Sequence, residues 1–81
     1  MQLYRFRVDG MQCGMCESHI NDAIRQAFVV KKVTSSHRKN ETVVIVDDPL
    51  DPQACADVIQ AAGYTVVSFT SEPYTKKGLF R

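Results

Sequence analysis

The sequence predicts an α+β fold in the order β-α-β-β-α-β, and three observations carry that prediction. Segments that alternate apolar and polar residues, or run β-branched, lie near both ends and in the middle of the chain. Two stretches between them repeat apolar residues at helical spacing, and the breaks fall on glycine, proline and polar turn residues. From Leu3 to Val8, Tyr4, Phe6 and Val8 share one side while Leu3, Arg5 and Arg7 share the other, the pattern of a half-buried strand. Gly10 breaks it. Ile20, Ala23, Ile24 and Ala27 then fall at i, i+3, i+4 and i+7, which predicts a helix from about Met15 to Phe28 with a narrow apolar stripe and Cys16 in its first turn.

Val29 to His37 is β-branched and mixed in polarity, Arg38-Lys39-Asn40-Glu41 is a polar turn, and Thr42 to Val46 is strongly apolar, so this stretch reads as a hairpin. Asp51 as cap and Pro52 at the first helical position open a second helix, in which Cys55, Val58, Ile59 and Ala62 repeat the core spacing until Gly63 stops it. Tyr64 to Phe69 resumes β character. Residues 71–81 carry Pro, Gly and paired Lys without periodicity and are expected to form a flexible C-terminal tail, which leaves residues 1–70 as one domain. Elements in this order fold economically as a four-stranded antiparallel sheet with both helices on one face, the ferredoxin-like sandwich.

An 81-residue chain has room for one small core and no second domain. A net charge of +1, spread over interleaved acids and bases, excludes a field strong enough to make nucleic acid or an anionic membrane the main partner. No apolar stretch approaches the length of a bilayer span, and Met1-Gln2-Leu3-Tyr4-Arg5 lacks the basic head and apolar core of a secretory signal. The expected location is therefore cytoplasmic, without membrane insertion. Three cysteines cannot all pair within one chain, and a reducing compartment keeps the nearby two as thiols for metal or redox work.

Those two, Cys13 and Cys16, lie in Asp9-Gly10-Met11-Gln12-Cys13-Gly14-Met15-Cys16, directly after a predicted strand and at the start of a predicted helix. Helix starts present backbone N–H groups without intrahelical partners and the positive end of the macrodipole, a setting that favours thiolates. Thiolates bind soft cations such as Cu(I). Two plainer readings stand beside this one. The pair is structural, or it is a redox dithiol of the thioredoxin kind, although that enzyme needs a βαβ surround with parallel strands that this order does not supply.

Gly10-Met11-Gln12-Cys13-Gly14-Met15-Cys16 fits the pattern G-M-x-C-x-x-C. With Val30-Lys31-Lys32-Val33 and Ala62-Gly63-Tyr64, the chain from about Gln2 to Thr70 resembles the heavy-metal-associated domain of copper chaperones, P-type ATPase N-termini and mercury carriers. The resemblance implies that Cys13 and Cys16 bind the metal and that Met11 packs beneath the loop without being a ligand. It also places Tyr64 where the family has a side chain approaching the metal loop, often Tyr in bacterial chaperones and Lys in eukaryotic ones. Tyr64 looks like the bacterial type. Read by itself, it is equally an ordinary strand aromatic.

Donor number separates the metals. Zinc wants four ligands, whereas Cu(I) is satisfied by two or three soft donors. Zinc-exporting relatives resemble G-M-D-C-x-x-C, and this chain has the neutral Gln12 in place of that carboxylate. His19, on the same helical face as Cys16, is an accessory candidate together with Tyr64; a surface role is the alternative for His19. Asp9 reads as a turn acid, Met15 as a solvent- or partner-facing side chain, and Cys55 as a small core hydrophobe. The expected function is that of a Cu(I) chaperone, not an enzyme. It would pass the ion by thiolate exchange to a metal-transporting P-type ATPase or another dithiol metal protein, and a metal-bridged homodimer is compatible with this. The alternatives are a carrier or sensor of Zn(II), Cd(II) or Hg(II) on the same dithiol, a dithiol oxidoreductase, and an interaction domain without a working metal site. The last rests on the tail, where Lys76-Lys77-Gly78-Leu79-Phe80 joins a basic pair to an apolar end.

Overall fold

A computed structural model describes residues 1–74. Its elements are β1 (Gln2–Asp9), α1 (Gly14–Ala27), β2 (Lys32–Ser36), β3 (Glu41–Val46), α2 (Pro52–Ala61) and β4 (Thr65–Pro73). They form a four-stranded sheet in the order β2-β3-β1-β4, with every neighbouring pair antiparallel. This is the expected ferredoxin-like βαββαβ fold.

The two most apolar strands occupy the middle. Tyr4, Phe6 and Val8 of β1 are buried on one face; Tyr4 pairs with Val44 and Phe6 with Thr42, and those β3 residues pair in turn with Val33 and Ser35 of β2. Onto this face α1 sets Ile20 and Ile24, and α2 sets Cys55, Ala56 and Ile59, all essentially inaccessible to water. Burying such aliphatic side chains stabilises the fold by roughly 1.5–3 kcal/mol each.

Thr42 is a polar residue buried in that layer, and its hydroxyl is satisfied. Ser35 Oγ donates to Asn21 Oδ1 at 2.7 Å, so the 2.9 Å contact between Ser35 Oγ and Thr42 Oγ1 is donated by Thr42. A second polar tie lies nearer the start of α1. Glu17 Oε2 accepts both the backbone N–H of His37 at 2.9 Å and its ring Nδ1–H at 2.6 Å. Both ties fasten α1 to the β2–β3 hairpin, whose turn places Asn40 at φ +54 and directs its carbonyl to Val8 N at 2.8 Å. Asparagine tolerates that left-handed conformation better than most residues with a side chain.

The boundaries shift from the sequence reading by more than one residue at two places. β2 begins at Lys32 rather than Val29, whose side chain is wholly exposed. β4 runs on to Pro73, so Ser71, Glu72 and Pro73 belong to the sheet and not to a tail starting at residue 71. β1 starts at Gln2, and its backbone opposite Tyr4, Leu3 and Gln2 is paired by Ser71, Glu72 and Pro73. Glu72 also meets Arg5 at 3.4 Å. An edge strand tolerates proline at its end, and its exposed side chains carry no apolar periodicity from which a sequence reading could extend it. The rest of the expected tail, residues 75–81 with Lys76 and Lys77, lies outside the described residues.

Candidate metal centre

The loop between β1 and α1 is shaped by a glycine and a buried methionine. Gly10 adopts φ +104, a conformation open to glycine and strained for other residues, which turns the chain off the end of β1. The next residue, Met11, is 7% exposed and joins the core, which anchors the loop from beneath. Its thioether is thus committed to packing. Cys13 follows as the N-cap of α1 in an extended conformation, and its carbonyl accepts the N–H of Cys16 at 3.1 Å and of Glu17 at 3.4 Å. No side chain caps this helix start.

The helical turn gives the two sulfurs different surroundings. Cys13 is exposed, while Cys16 is partly buried against the core, and both are free thiols. Backbone hydrogen bonding from Gln12, helped by the Tyr64 hydroxyl and by the Cys13 backbone and thiol, lowers the Cys16 pKa to about 7 against the opposing effect of burial. Cys16 is therefore substantially thiolate at neutral pH. Hydrogen bonding to Cys16 pushes the Tyr64 phenol upward, and burial and the negative charges of Cys16 and Cys13 add to the shift. Tyr64 follows the Gly63 turn after α2, and its ring lies over Gly10.

His19 stands beside this pair. Its Nδ1 lies 3.2 Å from the Tyr64 hydroxyl, and the two rings meet edge to face with centroids 5.8 Å apart. The imidazole is thus engaged by the phenol. Among the described residues no three or more His, Cys, Asp and Glu side chains gather as metal donors. Gln12 and Met15 are exposed, Met15 at 81%, and Asp9 is exposed at the end of β1. Cys55 is fully buried, and burial pushes its thiol up to about 12, so it is a core residue with little thiolate character.

Sequence reading brought Cys13 and Cys16 together through their spacing. It did not foresee that His19 and Tyr64, 45 residues apart, touch each other, nor that Glu17 receives two hydrogen bonds from His37. The local signal for the first was present in the helical face shared by His19 and Cys16. The second depends on how the hairpin turn lands on α1, which no local pattern encodes.

No family model matches the chain. It is similar to a mercuric reductase of Staphylococcus aureus, 33% identical over 70 residues that make up 86% of this chain and 12% of that protein. The chain thus spans about an eighth of the length of the curated relatives it matches. Among solved structures it superposes on a CopZ metallochaperone with a TM-score of 0.74 at 27% identity, covering 80% of this chain and 98% of that one. It also superposes on the apo N-terminal domain of ZntA with a TM-score of 0.69 at 29% identity, covering 89% and 93%. Among the described residues no helix is long and apolar enough to cross a membrane. The structural neighbours are heavy-metal-associated domains, and at that level they support the resemblance carried by the cysteine loop.

Proposed function

We propose that the chain binds one soft metal ion between Cys13 and Cys16 and hands it to the thiols of another protein, with Cu(I) as the cargo. The observation that carries this reading is the pair of unlike thiols on an uncapped helix start. One is exposed; the other is partly buried, and hydrogen bonding lowers its pKa to about 7, so that about half of it is thiolate at neutral pH. Two thiolates suit Cu(I) and leave a zinc ion half coordinated, and Gln12 offers no charge to complete a zinc shell. The similarity to metallochaperone and transporter domains supports metal binding and transfer as the class of function.

Transfer proceeds by ligand exchange. An acceptor thiol loses its proton to solvent and its sulfur bonds the ion, one of the chain's sulfurs detaches, and the remaining bond is exchanged in the same way. No electron moves and no acid, base or oxyanion site is required, so the chain works as a carrier rather than an enzyme. The acceptor in this reading is a metal-transporting P-type ATPase or another dithiol protein of the cytoplasm. A second copy of the chain sharing the ion would resemble the bridged intermediate.

A second reading has a specific observation behind it. The likeness to mercuric reductases extends over most of this chain, and Hg(II), another soft ion, is also satisfied by two thiolates. Titration of the reduced protein with Cu(I), with Hg(II) and Zn(II) as competitors, separates the cargoes. Cu(I) should fill one tight site that Zn(II) does not displace, and replacing both Cys13 and Cys16 by serine should abolish it. Unchanged tight binding in the double variant would refute the site. Displacement of Cu(I) by equimolar Hg(II) would move the assignment to mercury.

A further inference from the structure

The sheet has two edges, and only one of them is guarded. β2 is five residues long, with Lys31 and Lys32 at its start and Arg38 and Lys39 beyond its end, and such charge is the usual defence of an edge strand against pairing. β4 runs for nine residues, and from Val67 onward every one is exposed. Its one charged residue, Glu72, is engaged by Arg5 of the same chain at 3.4 Å, while Val67 and Phe69 are 53% and 37% exposed. Among the described residues nothing pairs its far side. The register shows which backbone groups are left over. Tyr74 N–H donates to the Met1 carbonyl at 3.1 Å, and N–H directions alternate along a strand, so Ser68, Thr70 and Glu72 face β1 while Phe69, Ser71 and Pro73 face outward. Pro73, which has no N–H, thus stands where β1 loses no hydrogen bond. The register shift opposite Arg7 and Val8 interrupts this order at Val67, so the regular outward groups are those of Phe69 and Ser71.

We propose that β4 is an interface between two copies of this chain, paired antiparallel across a two-fold axis at Thr70 so that their sheets join into one. In that register Phe69 of one copy lies opposite Ser71 of the other, and each uses both its N–H and its C=O. Thr70 faces Thr70 across the axis and Glu72 faces Ser68, so no like charges stand opposite one another. Phe69, whose ring packs on Phe6 with centroids 5.8 Å apart, carries that aromatic row toward its counterpart. A second copy fits this edge because the pairing is self-complementary and because a net charge of +1 leaves two copies little mutual repulsion. The guarded β2 edges become the two outer margins, so the assembly closes as a dimer and does not grow into a filament. Tyr64, beside the cysteine loop, leads into β4, so antiparallel pairing sends the two loops to opposite ends, roughly 40 Å apart at about 3.4 Å per residue. One ion cannot bridge them. This dimer is therefore independent of the proposed metal transfer and leaves both cysteine pairs open.

Sedimentation of the reduced, metal-free chain reads the assembly. A single strand pair is a small interface, so a monomer–dimer equilibrium with Kd on the order of 100 μM is expected, followed over protein concentrations from about 10 μM to about 1 mM. Amide hydrogen exchange reads the register. The N–H groups of Phe69 and Ser71 should gain protection as concentration rises, while that of Thr70, which faces β1, should be protected at every concentration. Thr70→Lys, at an exposed position, sets two ammonium groups opposite each other and should weaken the dimer by about fivefold. An equimolar mixture of Thr70→Lys and Thr70→Glu chains should associate again as a heterodimer. Ser71→Pro removes an outward donor from each copy without touching the ladder to β1, and should weaken the dimer by about tenfold or more. Replacing both Cys13 and Cys16 by serine should leave the Kd unchanged. A chain that stays monomeric at about 1 mM, association that grows beyond the dimer, or a Thr70→Lys chain that dimerises like wild type overturns the proposal. So does loss of the dimer in the cysteine variant. Failure to bind Cu(I) by a chain that still dimerises through β4 strikes the metal assignment alone.

Discussion

The two helices of this fold begin in opposite ways. α2 starts on Asp51, whose Oδ1 accepts the Gln53 N–H at 3.0 Å, and Pro52 fills the first helical position. α1 starts on Cys13, which makes no cap bond with its side chain. A good N-cap is worth about 1 kcal/mol, so α1 forgoes a stabilisation that α2 takes. What α1 gains is an electropositive end occupied by sulfur. The cysteines make the same contrast: Cys16, in the first turn of α1, titrates near 7, while Cys55, in the core-facing stripe of α2, is pushed up to about 12. One helix start serves the fold, and in the proposed function the other serves a ligand.

The sharpest way to break that comparison is to give α1 the start that α2 has. Cys13→Asp should supply a capping carboxylate and raise the stability of the metal-free protein by about 1 kcal/mol. It should also lower Cu(I) affinity by orders of magnitude, since a single thiolate remains. Thermal unfolding of the apo form and Cu(I) titration check the two halves. A variant that is more stable and still binds tightly would show that the uncapped start has nothing to do with the ligand. The converse change is smaller. Asp51→Ala should cost about 1 kcal/mol of stability and leave Cu(I) affinity within twofold of wild type, as read by the same two measurements.

Much of this contrast is legible in the chain itself. Asp51-Pro52 announces a capped helix and Gly63 its end; Cys13 and Cys16 announce a dithiol at a helix start, and the alternation of Tyr4, Phe6 and Val8 gives the buried face of the central strand. These are local patterns, fixed by residues within a turn or a strand of one another. The end of β4 and the partners of His19 and Glu17 are not local. Ser71, Glu72 and Pro73 are strand because Tyr4, Leu3 and Gln2 lie opposite them, not because of their own character. His19 reaches Tyr64 only once α2 has returned the chain to the cysteine loop. Glu17 looks like any acid in the first turn of a helix until the hairpin brings His37 to it.

Glu17 also answers how α1 starts securely without a cap. Its carboxylate lies in the first turn, where the helix dipole favours negative charge, and Oε2 receives both the backbone N–H and Nδ1–H of His37. The first turn is therefore held from outside by the hairpin, where α2 is held from within by its own cap. Hydrogen bonding from the His37 backbone, then its ring, holds the Glu17 carboxyl below the usual range, with further help from the positive charge of His37 and Arg38. A carboxylate with a depressed folded-state pKa contributes stability that is complete above its unfolded value, roughly 4.3 for glutamate, and is lost as pH falls through the lower folded value. Acid should therefore loosen this tie. Glu17→Gln keeps an oxygen for one hydrogen bond and removes the titration, so the variant should start less stable than wild type at neutral pH and lose less on acidification. Denaturant midpoints of the apo proteins at about pH 7, 5 and 3 measure the difference, in which the other carboxylates common to both proteins largely cancel. Parallel losses in the two proteins would mean that His37 does not secure the start of α1, and the distinction between a helix capped from within and one clamped from without would lose its second half.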